Sequence, residues 1–174
     1  NNGDLVGNNT DISGFQKAIN SLNYEIKDKK ILILGAGGVV PSLIVALNKL
    51  EASEITISNR TSKKAEDLKI QFNKINTVSW GEVPDFDMII NATSLGLNNE
   101  TIDLNTSNIG QGKFFYDVIY NPNETNFLKL GKKLGNQIEN GKLMFIYQAF
   151  EAFRLWHGVE PNVSEKILKL LDHD

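Results

Sequence analysis

The chain has no cysteine. Disulfides, thiolate metal sites and cysteine nucleophiles are therefore excluded, and no metal site is expected. No apolar run is long enough to cross a membrane, and no stretch reads as a signal peptide. A cytoplasmic location is expected. Positive charge is not in excess: 18 Lys and Arg stand against 21 Asp and Glu, a net charge of −3. Neither nucleic acid nor an anionic membrane surface is favoured by that balance. Internal repeats and low-complexity tracts are missing as well. What remains has an ordinary globular composition, 41% hydrophobic and 22% charged over 174 residues. That suffices for one domain, or one domain and a fragment.

The stretch that organises the rest is Lys30 to Ser42, KILILGAGGVVPS. The apolar run Ile31 to Leu34 stops at Gly35-Ala36-Gly37-Gly38. A helical pattern follows, with Val39, Leu43, Ile44, Leu47 and Leu50 apolar. Strand, glycine turn and helix form the context in which such glycines bind a dinucleotide. Gly35 allows the tight turn. Gly37, without a Cβ, lets a pyrophosphate approach the backbone. Free N–H groups and the helix dipole then favour the anion. The third small position of the pattern falls on Val40, so Gly38 is expected to supply the close packing. Pro41 lies in the first helical turn, where its missing N–H costs little. The other reading of these glycines is an ordinary tight strand-to-helix turn.

Along the chain, Thr10 is expected to cap a helix running to about Leu22, with Ile12, Phe15, Ile19 and Leu22 as its apolar stripe. Gly14 interrupts that helix at a cost of about 1 kcal/mol against Ala, which suggests a close neighbour. Strands are expected at Glu54–Ser58, Asn76–Ser79, Asp87–Asn91, Lys113–Val118 and Gln137–Glu139, with helices at about Ser62–Phe72 and Thr125–Leu134. Leu97 to Gly112 reads as irregular. Alternating strands and helices predict an α/β fold, a Rossmann-like doubly wound parallel sheet with helices on both faces. Such sheets bind ligands beyond the carboxyl ends of their strands. The small and polar clusters fall there: Gly35–Gly38, Asn59–Thr61, Asn91–Gly96 and Asp117–Asn121.

The end of the second strand indicates which dinucleotide. An NAD site usually carries a carboxylate there for the ribose 2′-OH. This chain has Asn59-Arg60-Thr61, then Lys63 and Lys64. Arg60 can pair with a 2′-phosphate and lay its flat guanidinium against adenine. Asn59 and Thr61 add hydrogen bonds, and one helical turn returns Lys64 towards the same place. The expected cofactor is NADP. A solvated basic helix start is the other reading.

Further stretches now combine. Asn9-Thr10-Asp11 precedes Gly14-Phe15, and Asn91-Ala92-Thr93-Ser94 precedes Gly96. Asp117-Val118-Ile119-Tyr120-Asn121-Pro122 precedes Thr125. Gly141, Leu143-Met144, Gln148-Ala149, Phe153, Trp156 and Gly158-Val159-Glu160-Pro161 complete the series. With GAGG and NRT, this order closely resembles the C-terminal part of shikimate dehydrogenases.

The resemblance implies an NADP-dependent oxidoreductase of the shikimate pathway to chorismate and the aromatic amino acids. Its reaction is the reversible reduction of 3-dehydroshikimate to shikimate. Such enzymes carry an N-terminal substrate domain with a catalytic lysine in an S-x-x-H-K-type motif. The first lysine here is Lys17, so residues 1–174 are expected to be a cofactor domain without that partner, inactive alone. Helices at 10–22 and 143–172 would lie at the domain junction and could mediate self-association.

By resemblance, Asp11 is the acidic half of a catalytic Lys–Asp pair, and Asp11, Tyr120 and Gln148 meet the small-molecule substrate. Gly35, Ala36, Gly37, Gly38, Val39, Asn59, Arg60, Thr61, Lys64, Thr93, Ser94, Leu95 and Gly96 would hold the cofactor. Val118, Gly141 and Met144 would border its nicotinamide. Read from the residues alone, Asp11 is a helix-start carboxylate favoured by the dipole. Gln148 is likewise a polar gap in an otherwise apolar helix, and Gly141 an Asn-Gly turn. Departures are Val40 and Pro41, Ser42 where Ala is more usual, and Val118 where a bulkier residue is common. An NAD-using quinate/shikimate dehydrogenase and a non-catalytic nucleotide-binding domain are the alternatives.

Overall fold

The computed structural model describes residues 3, 5–107, 109–162 and 164–169. Six parallel strands form one sheet: β1 (Lys30–Leu34), β2 (Glu54–Ser58), β3 (Ile75–Val78), β4 (Met88–Asn91), β5 (Phe114–Asp117) and β6 (Gln137–Glu139). Their order is β3-β2-β1-β4-β5-β6. The chain therefore winds outwards from β1 in one direction and from β4 in the other, so the switch point lies between them. The expected Rossmann-like architecture is present.

The strands are short apolar runs because both faces are covered. Side chains alternate between two cores. Ile31, Ile33, Ile55, Ile57, Met88, Ile90, Phe114 and Tyr116 enter one core, with α1 (Thr10–Ser21), α2 (Val40–Lys49) and α3 (Ser62–Gln71) above them. Leu32, Leu34, Ile89 and Phe115 enter the other. There the cover is α4 (Asn126–Lys133) together with Ile102 and Leu104 of the irregular 97–112 segment. Helices do lie on both faces, but a loop does half the work on the second.

Several boundaries differ from the sequence expectation for local reasons. Asn9, not Thr10, caps α1: it is extended, and its side chain accepts from the Asp11 N–H at 3.1 Å. Asp87 stays outside β4, where its carboxylate accepts from the Lys30 N–H at 2.9 Å. The Lys113 N–H goes to the Asn136 side chain at 2.9 Å, so β5 begins one residue later.

The last helices are α5 (Lys142–His157) and α6 (Glu165–Lys169). They are separate because Gly158 is left-handed, φ 67°, and closes α5 with a 2.9 Å bond to the Arg154 carbonyl. Residues 170–172 of the expected helical stretch lie outside the described residues. α5 packs on α1 at Gly14, where a Cβ would come within 2.9 Å of Gln148. The costly helical glycine is thus explained by a helix crossing. An ion pair reinforces it, Lys17 to Glu151 at 2.9 Å. α5 is not buried all round. Met144, Ile146 and Glu151 are buried, while Phe145, Phe153, Leu155 and Trp156 stand exposed.

Candidate dinucleotide cleft

Register positions the site. Leu34 pairs with Ser58 on one side and Asn91 on the other, and Asn91 pairs with Asp117. Gly35, Asn59, Ala92 and Val118 therefore leave the sheet at one level. The β1–α2 loop crosses the switch point. Gly35 has φ 110°, and a Cβ there would sit 2.7 Å from the Ala92 carbonyl oxygen. Only glycine fits both demands. At Gly37 the nearest atom to an added Cβ is 3.8 Å away, and at Gly38 nothing lies within 4 Å. Gly38 therefore does not provide the close packing expected of it. Buried Val40 fills that place, and the two glycines keep the outer side of the loop clear. α2 has no side-chain cap; the Val40 N–H turns back to the Gly37 carbonyl at 3.1 Å and Pro41 has no N–H, so an anion would be met by the loop's own N–H groups together with the helix dipole.

Two hollows flank this loop. The first, about 180 Å³, is lined by Asn59, Arg60, Trp80, Thr93, Ser94 and Leu95. The second, about 340 Å³, is lined by Asp11, Val39, Val118, Gly141, Met144, Phe145 and Gln148. Most sequence-predicted residues thus meet in one of two places. Thr61 and Lys64 do not line the first hollow. They stand exposed on the opening turn of α3, joined by a 3.0 Å backbone bond. Tyr120 is one step removed from the second: its ring stacks on Phe145 with centroids 4.6 Å apart.

Gly141 sits in the turn that opens α5, but the turn does not require a glycine. Its φ is −76°, a value any residue adopts, but an added Cβ would collide with the Val118 carbonyl. Its N–H donates to the Ile119 carbonyl at 3.1 Å. The start of α5 is thereby pressed against the end of β5, bringing Met144 and Gln148 opposite Asp11 on α1. Gln148 currently donates to the Phe145 carbonyl of its own helix at 3.0 Å.

A buried network beneath the loops was not visible as such in the sequence. Asp117, fully buried, accepts from Asn91 Nδ2 at 3.0 and 3.1 Å, from the Ile119 N–H at 3.0 Å and from the Thr125 hydroxyl at 2.6 Å. Burial pushes its pKa up, and the three donors pull it back. Asn91 in turn accepts from the Thr93 N–H and hydroxyl, and donates to the Leu95 carbonyl. The network holds Thr93 to Leu95 in shape. Glu100 fixes the next turn: backbone N–H groups of Asn98, Glu100 and Gly96 hold its carboxyl down at about 2.

The sequence reading also missed Trp80, Phe145 and the role of Asn9. A lone tryptophan after a weak edge strand gives no period to read. Asn9 caps α1 and also donates to Ser42 Oγ at 3.0 Å, which gives the unusual Ser42 a partner. Among the described residues, no group of three metal-ligating side chains is close enough to hold a metal. No helix among them is long and apolar enough to cross a membrane.

Comparison with known proteins gives consistent matches. Residues 16–123 match the family model for shikimate/quinate 5-dehydrogenase, and residues 143–165 that for the shikimate 5′-dehydrogenase C-terminal domain. The NADP(+) shikimate dehydrogenase of Pelagibacter ubique is 54% identical over 97% of this chain and 64% of its own length. The structure of a Gluconobacter 5-ketofructose reductase superposes with a TM-score of 0.88 at 31% identity, over 99% of this chain and 65% of that one. The Thermus thermophilus shikimate 5-dehydrogenase, solved with NADP(H) and shikimate, gives 0.83 at 30% identity over 94% and 62%. The chain spans less than two thirds of each of these relatives.

Proposed function

The chain belongs to the shikimate/quinate 5-dehydrogenase family, and we propose that it is the NADP(H)-binding portion of a cytoplasmic shikimate dehydrogenase. The observation that carries this reading is the basic, carboxylate-free end of β2 beside an uncapped helix N-terminus at the sheet's switch point. Arg60 and Asn59 line the hollow there, and Thr61 and Lys64 stand exposed on the turn that follows. Gly35 to Val39 would receive the pyrophosphate, since Gly37 and Gly38 leave the loop's outer side open. The name of the Pelagibacter relative supports the same cofactor.

Thr93 to Gly96 would carry the dinucleotide across the sheet, and Val118, Gly141 and Met144 would border its nicotinamide. When bound, NADPH supplies the hydride for the ketone of 3-dehydroshikimate. Asp11 faces that end and would hold a substrate hydroxyl and orient a lysine contributed by the remainder of the protein. That lysine would give its proton to the developing alkoxide. Gln148 would turn from its own helix to a substrate hydroxyl, being able both to donate and to accept. Tyr120, through Phe145, would close the substrate side.

On this reading residues 1–174 bind cofactor but do not turn over. The exposed aromatic face of α5, with α1, would be the surface on which the remainder of the protein rests. In its absence that face would favour self-association. The direct test is binding. Calorimetric titration should show NADP⁺ bound more tightly than NAD⁺, and equal affinities would remove the case built on Arg60. Shikimate-dependent reduction of NADP⁺ by this chain alone would overturn the assignment of inactivity.

A further inference from the structure

We propose that Trp80 forms one wall of a slot for the purine base, opposite Arg60, and so sets the affinity for the cofactor's adenosine half. The inference rests on the NADP reading above and assigns it a residue that no sequence motif marks.

Trp80 is half-buried. Part of its indole packs on the second core, and part lines the hollow with Asn59, Arg60, Thr93, Ser94 and Leu95. Its backbone is held on both sides. The Ser58 hydroxyl, at the last residue of β2, donates to the Ser79 carbonyl at 2.9 Å. The Glu82 N–H donates to the same carbonyl at 3.1 Å, and the Glu82 carboxylate accepts from the Ser79 N–H at 3.3 Å. Gly81 accepts from the Asn105 N–H at 3.1 Å. The turn carrying Trp80 is therefore tied to the strand end that carries Asn59 and Arg60.

Arg60 and Trp80 line one hollow yet make no cation–π contact with each other. Two flat groups, one on an anchored turn and one exposed, facing a common space form a fit for a planar heteroaromatic ring. A purine would stack on the indole and receive the guanidinium on its other face, while the 2′-phosphate of the attached ribose reached the edge of the Arg60 guanidinium and the α3 turn. A tryptophan that only covered the core would need no open side towards Arg60.

The test uses 2′,5′-ADP, which has the base and the 2′-phosphate but no nicotinamide. The chain has two tryptophans, and Trp156 is 80% exposed at the end of α5. Trp156→Phe leaves Trp80 as the sole tryptophan, excited selectively at the red edge where tyrosine does not absorb. Saturating 2′,5′-ADP should then quench and shift its fluorescence. Trp80→Leu, which keeps apolar bulk, should weaken 2′,5′-ADP and NADP⁺ by the same factor, about tenfold. Trp80→Phe should recover most of that loss. A folded Trp80→Leu chain with unchanged affinity, or bound 2′,5′-ADP without a change in Trp80 emission, overturns the inference while leaving the NADP reading intact. Failure of the unmodified chain to bind either nucleotide overturns that reading and this inference with it.

Discussion

The two ends of the cleft are built on different principles. At the Gly141 end, packed helices and a backbone carbonyl determine what can be present. Gly14 admits α5 onto α1, Gly141 admits α5 onto β5, and both places lack room for one more carbon. At the Arg60 end, exposed side chains on loops offer charge and hydrogen bonds to a space that stays open. One end is defined by sterics, the other by chemistry. The first should fail in stability when altered, and the second in selectivity.

Gly141→Ala should give the largest effect. The new methyl would drive α5 from the Val118 carbonyl, at a cost of about 3 kcal/mol in urea unfolding. Gly38→Ala, at a site with nothing within 4 Å, should leave unfolding within about 0.5 kcal/mol. The same substitution in two glycines of one cleft thus separates the principles. Equal stabilities for the two variants would break the comparison.

Next in size is Asp117→Asn. Every partner of Asp117 is a donor. Thr125 Oγ already accepts from the Leu128 N–H, so its own proton must go to Asp117. An amide would set its NH₂ against one of those donors inside the sheet. The expected loss is about 2 kcal/mol, with the Thr93–Leu95 loop loosened and both hollows affected. A variant as stable as its parent would show that the network is not what holds the loops.

The contrast also explains how much could be read in advance. Continuous apolar runs announced the central strands, because a sheet buried on both faces leaves Ile31 to Leu34 and Met88 to Ile90 no polar positions, whereas the edge strands β3 and β6 are half polar or more. Gly35 was legible because its strand-turn-helix context is local. The Asp117 network was not, since Asn91, Asp117 and Thr125 meet only once β4 and β5 are paired in register. Gly38 was misassigned for a related reason. Whether a glycine lacks a neighbour depends on how the chain returns above it, and sequence does not display that. The pairing of Glu151 with Lys17 was not legible either, since the two meet only where α5 crosses α1.

Arg60→Gln tests the chemical end. It removes a charge-assisted fork but keeps a hydrogen-bonding side chain, so folding should be unaffected. Affinity for NADP⁺ should fall by about tenfold or more, and affinity for NAD⁺, which loses only the guanidinium's contact with adenine, should fall by less. An equal loss for both dinucleotides would mean that Arg60 serves only the shared adenine or the fold, and the steric–chemical division would lose its clearest example.

The smallest effect returns to the packed end. Glu151 is buried between α1 and α5, bonded to Arg154 Nε at 3.2 Å and to Lys17 at 2.9 Å. Arg154 first, then Lys17, hold its carboxyl at about 2, well below its ordinary 4.5. A carboxyl lowered by folding stabilises the fold above its unfolded pKa, and that contribution drains away as pH falls from 4.5 towards 2. Asp117, raised by burial, has the opposite sign: the cost of its charge fades as pH falls. Comparing Glu151→Gln with its parent cancels the Asp117 slope. At pH 7 the variant should be less stable by about 1 kcal/mol, because both cations are half-exposed and solvent screens them. At pH 2.5 the gap should narrow. A gap that stays constant across that window would mean that shape, rather than charge, joins α1 to α5, and that Asp11 and Gln148 are held opposite each other by Gly14 alone.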